Sequence, residues 1–331
     1  MSAERGPAGR LLAVVAVVAM AGWLQACAPV VIGLEGAAEE PHLTTDAAVM
    51  ADAARLPMRV WAAKKPHAVI VAVHGFNDHS NAFAMPGPWL ADRGVTVYAY
   101  DQRGFGKAPH AGFWAGDEAM VADLRTVARL VRKRHPRLPL HVMGASMGGS
   151  VAMVALAGTG MPDVDGAILV APAVWGWRAM NPLYKSALWI AAHTVPSFSP
   201  TGEGLRVRPS DNVEMLRALG RDPLVIKKTR IDTVYGLVGL MDKAYEAAPQ
   251  IRKPVLYLYG RRDELVPREP TLGVVRAIPG PVRFADYDDG WHMLLRDRQR
   301  MKVWRDIDSW IAGRGRSLPS GREVSDIAAL Q

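Results

Sequence analysis

Residues 138–158, LPLHVMGASMGGSVAMVALAG, run from a continuous apolar stretch, through glycines crowded around Ser146, into a second apolar stretch. The first half reads as a strand buried on both faces and the second as a helix, so Ser146 sits on a sharp strand-to-helix turn. The same pattern recurs along the chain. HAVIVAVHG (67–75), VTVYAYDQRGFG (95–106), DGAILVAPAV (165–174), KPVLYLYG (253–260) and VRFADYDDG (282–290) read as further strands, and LPMRVWAAKK (56–65) as a strand ending in a charged turn. Helical spacing falls between them. In AMVADLRTVARLVRKRH (119–135), Val121, Leu124, Val127, Leu130 and Val131 share one face, and Pro136 stops the helix. LGVVRAI (272–278) is helical, and LLRDRQRMKVWRDIDSWIAG (294–313) reads as a closing amphipathic helix. Alternating strands and helices predict an α/β fold with a mostly parallel central sheet and helices on both faces.

The alternation breaks between residues 174 and 253. A connection of that length needs structure of its own. Helical patches at 180–195, 210–220 and 229–248 predict an inserted helical cap, or lid, over 175–250 above the C-terminal edge of the sheet. The core is then 46–174 with 251–314, and 315–331 is expected to be a flexible tail. Trp175, Trp177, Tyr184, Leu188, Trp189 and Ile190 form an apolar stretch in the cap. It reads either as packing onto the domain or as a lid surface that admits a lipid tail and touches membrane.

The N-terminus points to the cell envelope. Arg5 and Arg10 precede an apolar run over 11–24, shorter than the roughly 20 residues needed to span a bilayer, so a signal peptide over 1–26 is expected. Leu24, Ala26 and Cys27 resemble a bacterial lipobox, with cleavage before Cys27 and acylation of that residue. Residues 27–45 then form a tether. Cys27 is the only cysteine, so no internal disulfide can form. Ala28, where the sorting pattern would place Asp for retention at the inner membrane, points to a lipid-anchored, periplasm-facing protein of the outer membrane. The net charge of +8 is scattered, and no nucleic-acid recognition motif accompanies it. Attraction to anionic lipid fits that charge.

GASMG (144–148) is a G-x-S-x-G pentapeptide, which chance alone places in roughly one chain in ten of this length. Its position between a buried strand and a helix is what makes it a nucleophile elbow. A serine hydroxyl needs a base, and the base needs an acid to orient it. Of the nine histidines, His292 lies in the loop after the last strand, where such a sheet supplies its base. His141 lies within a strand and is expected to pack. Asp263 directly follows the strand at 253–260, as the acid should. Neighbouring Glu264 would point elsewhere, and Asp288 and Asp289 are too close to His292 along one loop to brace it. The oxyanion hole would take its two amides from Met147, after the serine, and from Phe76, in the loop after an early strand.

HGFNDHS, YDQRGFG, GASMGG, GRRDELVP and GWHMLL occur in the order and spacing of the monoacylglycerol lipase and lysophospholipase-like α/β-hydrolases, a serine aminopeptidase-like group, and the chain resembles them over residues 43–313. The resemblance implies a Ser146–Asp263–His292 triad, with the Phe76 and Met147 amides as oxyanion hole. It implies a lid over an acyl pocket, with His74, Asp78, His79 and Arg103 bracing the surrounding loops. Lys107 and Ala108 depart from the family pattern in the loop after RGFG. The expected activity is hydrolysis of monoacylglycerol- or lysophospholipid-like carboxylic esters through an acyl-enzyme, with no metal or organic cofactor. Two other readings compete: a non-catalytic envelope lipoprotein on a hydrolase fold, and an amidase or aminopeptidase using the same triad.

Overall fold

The computed structural model describes residues 28–34, 36–202, 204, 207–313 and 317–328. The signal peptide expected over 1–26 and Cys27, the expected lipidation residue, lie outside them. Nine strands form one sheet in the order β1-β2-β3-β5-β4-β6-β7-β8-β9. The strands β1 (His42–Leu43), β2 (Ala47–Val49) and β3 (Arg55–Trp61) make an antiparallel edge. From β5 (Val95–Tyr100) onward the sheet is parallel, through β4 (Ala68–Val73), β6 (Leu140–Ala145), β7 (Gly166–Val170), β8 (Val255–Gly260) and β9 (Val282–Tyr287).

The continuous apolar runs are needed because the sheet is covered twice. Along β4, Val69, Val71 and Val73 belong to one core layer and Ala68, Ile70 and Ala72 to the other. The first layer is closed by helices α2 (Asp117–Arg134) and α3 (Met147–Ala157), through Leu124, Val127 and Val151. The second is closed by α1 (Pro86–Ala91) and α8 (Arg300–Ile311), through Leu90, Trp304 and Ile307. In α2, Asp117 and Glu118 occupy the first turn and Arg132, Lys133 and Arg134 the last, both favourable to the helix dipole. Between β7 and β8 lie the cap helices α4 (Pro182–Thr194), α5 (Val213–Arg221) and α6 (Ile231–Ala247), and α7 (Arg268–Ala277) follows β8.

Three expectations need correction. The closing helix starts at Arg300 rather than 294, because Leu294 and Leu295 turn inward and Asp297 is spent on the backbone of the preceding loop. Residues 27–45 are more than a tether: Ile32 N–H donates to the Trp114 carbonyl at 3.0 Å, and β1 pairs with β2. The tail over 315–331 packs through its described part. Val324 N–H donates to the Phe284 carbonyl at 2.8 Å, both Glu323 carboxylate oxygens accept from Arg283, and Leu318 is buried. This segment covers the open edge of β9, which would otherwise present unpaired backbone groups. Its ties are long-range ion pairs and backbone bonds, which leave no periodic trace in a sequence.

His141, in β6, does pack. Its ring lies against Trp310 at 5.2 Å between centroids, and neither nitrogen has a hydrogen-bond partner among the described residues. Burial pushes its pKa down from 6.5 to about 4, with Asp165 opposing and Arg132 assisting. The unfolded chain therefore takes up a proton below pH 6.5 that the folded chain refuses until about 4. Stability should fall across that window. Urea titrations should show His141→Leu losing less stability than the parent between pH 7 and 4, by up to about 3 kcal/mol.

Candidate active site

The strand-to-helix turn after β6 holds Ser146 at φ 52° and ψ −120°, a region that non-glycine residues rarely enter. Three interactions over-determine it. Ser146 N–H donates to the Val170 carbonyl at 3.0 Å, and the Ser146 carbonyl accepts from Gly149 at 2.8 Å and Ala173 at 3.1 Å. The glycines are steric necessities: a Cβ on Gly144 would strike the Gly148 carbonyl, and one on Gly148 would strike the Val73 carbonyl. Helix α3 thus begins pressed against the end of β4, where the loop 74–80 starts.

The hydroxyl this turn presents meets a histidine. His292 Nε2 lies 2.9 Å from Ser146 Oγ, and His292 Nδ1 lies 2.7 Å from Asp263 Oδ2. The second Asp263 oxygen accepts from Leu265 N–H at 2.8 Å and Val266 N–H at 2.9 Å, so the carboxylate is fixed by its own loop. An acceptor at Nδ1 leaves the Nδ1–H tautomer, with a free lone pair on Nε2 aimed at the serine. Glu264 turns away to the Arg208 backbone, while Asp288 pairs with Arg261 and Arg322 and Asp289 with Arg262. Phe76 lines the cavity above Ser146, and Met147 is the first residue of α3.

The loop carrying Phe76 is bolted down from below. His74 is fully buried; its Nδ1 donates to the Gly75 carbonyl at 2.8 Å and its Nε2 accepts from Gln102 N–H at 2.9 Å. Burial holds its pKa below the usual value, which suits a neutral ring using one nitrogen each way. Asp101 accepts from Ser80 and Lys107 backbone N–H groups. Arg103 spans Asp52 and Asp123, joining the N-terminal strands to α2. His79 Nε2 reaches Asp222 of the cap at 2.9 Å, and Asp78 pairs with Arg296 at 2.5 Å. The bracing residues named from the sequence all lie at this junction.

Four others escaped sequence reasoning. Asp297 accepts from Trp291 N–H at 2.8 Å and from the Ser210 hydroxyl at 2.6 Å, tying the His292 loop to the cap. Asn77 donates to Thr229 at 2.6 Å and its carbonyl accepts from Ile226 N–H, tying the Phe76 loop to the cap. Arg296 completes the set through Asp78. The only available signal was Asp297 following His292 by five residues, which does not reveal a partner in the cap. Over Ser146 lies a cavity of about 290 Å³, walled by Phe76, Val170, Leu237, Met241, Leu265 and Met293.

With this geometry in place, similarity to known proteins becomes informative. The family described as serine aminopeptidase, S33 matches residues 64–299. The chain belongs to this family. Among curated relatives of this S33 chain, the monoacylglycerol lipase of Mycolicibacterium smegmatis is 26% identical over 272 residues, 78% of this chain and 92% of the relative. The monoglyceride lipase of Rattus norvegicus is 25% identical over 285 residues, covering 83% and 90%. Among solved structures, a soluble variant of the Saccharomyces cerevisiae monoglyceride lipase with a substrate analogue superposes at TM-score 0.69 and 18% identity, over 83% of this chain and 98% of that one. A carboxyl esterase from Bacillus coagulans in complex with glycerol gives TM-score 0.67 and 20% identity, over 83% and 97%. These structures share the fold: a mostly parallel sheet flanked by helices.

The packing of Gly148 can be tested directly. Gly148→Ala should lower stability by about 1–3 kcal/mol or more, because the added methyl meets backbone rather than a movable side chain. Thermal denaturation reads the loss; a melting temperature equal to the parent's would mean the turn is not as tightly opposed to β4.

Proposed function

We propose that the protein is a serine hydrolase that cleaves carboxylic esters of monoacylglycerol or lysophospholipid type. The observation that carries this reading is the unbroken hydrogen-bond line from Asp263 through His292 to Ser146, at 2.7 and 2.9 Å, opening into an apolar cavity. The named lipases among its relatives support the same substrate class.

In the acylation step, Ser146 Oγ attacks the ester carbonyl carbon while His292 Nε2 takes its proton. Asp263 stays ionised and stabilises the imidazolium through Nδ1–H. The carbonyl oxygen becomes an oxyanion held by the Met147 and Phe76 amides; losing one such donor typically costs about 2.7–4 kcal/mol. The Met147 amide belongs to the first turn of α3, whose N–H groups have no partners within the helix. Collapse expels the alcohol, which takes the proton from His292. Water, activated by the same histidine, then attacks the acyl-enzyme and frees the acid. The acyl chain lies against Leu237, Met241 and Val170, residues that offer burial and no hydrogen bonds.

The same lining disfavours an aminopeptidase. A substrate with a free amino terminus needs an unspent carboxylate to receive its ammonium group. Of the acids the described residues bring here, Asp263 is held by His292 and two amides, Asp78 is paired with Arg296, and Asp297 accepts from the Ser210 hydroxyl and the Trp291 amide.

A fluorophosphonate probe should label the protein, and short p-nitrophenyl esters should turn over. Ser146→Ala should abolish labelling and lower kcat on the order of 10⁶-fold, as expected for removal of a triad nucleophile. Asp263→Asn should cost about 10⁴-fold, because it favours the wrong imidazole tautomer. Labelling that survives Ser146→Ala would overturn the assignment, as would faster turnover of aminoacyl amides than of monoacyl esters.

A further inference from the structure

A second space adjoins the one over Ser146. It is a groove of about 740 Å³ between α5, the turn at Ser80–Phe83 and the chain that leads from His292 into α8. Arg296 lines both the groove and the cavity over Ser146, so the two meet at that side chain. Their linings differ. The cavity is walled mostly by apolar residues, whereas the groove carries Arg296, Arg298 and Arg300 together with Asp211, Glu214 and Asp222. Charges of both signs in one groove are ordinary where they neutralise one another. Here only part of the set is used in that way.

Asp222 is fully engaged: one oxygen meets His79 Nε2 and the other accepts from Leu224 N–H. Arg296 gives one nitrogen to Asp78. Asp211 Oδ1 accepts from the Arg298 backbone N–H at 2.8 Å, which fixes Arg298 without touching its guanidinium. The Arg298 guanidinium and the Glu214 carboxylate have no hydrogen-bond or ion-pair partner among the described residues. Arg300 packs near Trp304 and gives Nη1 to the Asp297 carbonyl at 3.1 Å, yet its Nε is buried with no partner among the described residues. A buried N–H that has left water without a replacement is costly. A guanidinium fork is shaped for an oxyanion that offers two oxygens, phosphate above all. The groove therefore presents two guanidinium groups on one side and the carboxylates of Glu214 and Asp211 on the other, each with hydrogen-bonding capacity left over.

We propose that this groove receives the head group of the ester that Ser146 cleaves, and that the head group is zwitterionic, a phosphodiester bearing an ammonium group, as in a lysophospholipid. The proposal deepens, and rests on, the reading of Ser146 as the nucleophile of an ester hydrolase. The phosphate lies on Arg298 and Arg300, and the ammonium on Glu214 and Asp211. A glycerol head leaves all four charges unmatched. A purely anionic head suits the arginines but meets Asp211 and Glu214 as like charges. The position suits a leaving group. The departing oxygen takes its proton from His292 Nε2, so the alcohol lies on the His292 side of Ser146, and Arg296 follows His292 by four residues along the same loop. The acyl chain lies the other way, against Leu237 and Met241. The bond that breaks joins the acyl carbon to the glycerol oxygen; the acyl group stays on Ser146 and the phosphodiester leaves intact.

The test compares three esters of one acyl chain, each below its micellar concentration: monoacylglycerol, lysophosphatidylglycerol and lysophosphatidylethanolamine. For the parent, kcat/KM should be highest with lysophosphatidylethanolamine, by roughly tenfold over monoacylglycerol, the effect of one charge-assisted hydrogen bond. Arg298→Glu should remove that advantage. Glu214→Lys should instead turn the preference toward lysophosphatidylglycerol. Ratios between esters are read, so a general loss of activity cancels, and a melting temperature equal to the parent's reports an intact fold. Equal kcat/KM for the three esters, a preference for monoacylglycerol, or variants that scale all three esters alike would overturn the proposal. If no ester is cleaved, the ester hydrolase reading fails, and titration calorimetry with glycerophosphoethanolamine decides the head-group site on its own. Binding heat in the parent that Arg298→Glu abolishes would support the site, and no binding heat in the parent would overturn it.

Discussion

The approach of α3 to the end of β4, made possible because Gly148 has no side chain, is the constraint on which the rest of the site depends. It carries Ser146 and the Met147 amide to the point where the 74–80 loop leaves the sheet, so serine and both proposed oxyanion donors come from adjacent backbone. Gly75 sits with its own Cα beside Ser146, where a Cβ would approach the Ser146 Cβ at 3.2 Å. Ser146 is held in an unfavourable backbone region, a local cost of about 1–3 kcal/mol that neighbouring hydrogen bonds must offset. The Val170 and Ala173 contacts do so from β7 and the residues that follow it, which is why the elbow needs the neighbouring strand and not the α3 turn alone.

Around that point, charge is used to join segments far apart in sequence. Arg103 draws Asp52 and Asp123 together, 51 and 20 residues away. Burial and its two neighbours affect the pair unequally: the Asp123 pKa is raised to about 6 by desolvation, with the Arg103 contacts opposing, whereas Asp52, less enclosed, is held below its ordinary value. A buried pair of this kind adds little net stability, but losing one partner strands the other charges, so its effect is to fix one arrangement of loops. His74 does the same with a neutral ring, donating on one side and accepting on the other.

How much of this could be read from residues alone follows from the range of each interaction. The strands were legible because burial on both faces demands unbroken apolar runs, and α2 because its stripe repeats at helical spacing. Ser146, Asp263 and His292 were legible because each follows a strand, and the order of strands orders the loops. Asp297, Ser210, Arg296 and Asn77 were not, since each owes its place to one partner across the cap boundary. The segment 317–328 looked like a tail because it is polar, and it is ordered by Arg283 and the β9 edge rather than by any pattern of its own. The exposure of α4 was equally hidden: Leu183 and Ile190 have the spacing of a buried stripe, and only the placement of α6 decides which side faces inward.

The cap is therefore tied to the loops of Phe76 and His292 by polar contacts and to the cavity by apolar ones. His79–Asp222 and Asn77–Thr229 hold it to the loop of Phe76, and Ser210–Asp297 holds it to the loop of His292. Leu237 and Met241 of α6 meanwhile form the cavity wall. In the proposed mechanism, a displacement of α6 would be opposed at the two loops that carry Phe76 and His292. Polar ties thus hold the loops around Ser146, while apolar residues alone of α6 face the cavity. In the proposed mechanism that division gives chain selection to α6 and chemistry to the sheet, so substitutions at Leu237 or Met241 would act on which ester enters, and those at Asp297 or Asn77 on how well the bound ester is cleaved.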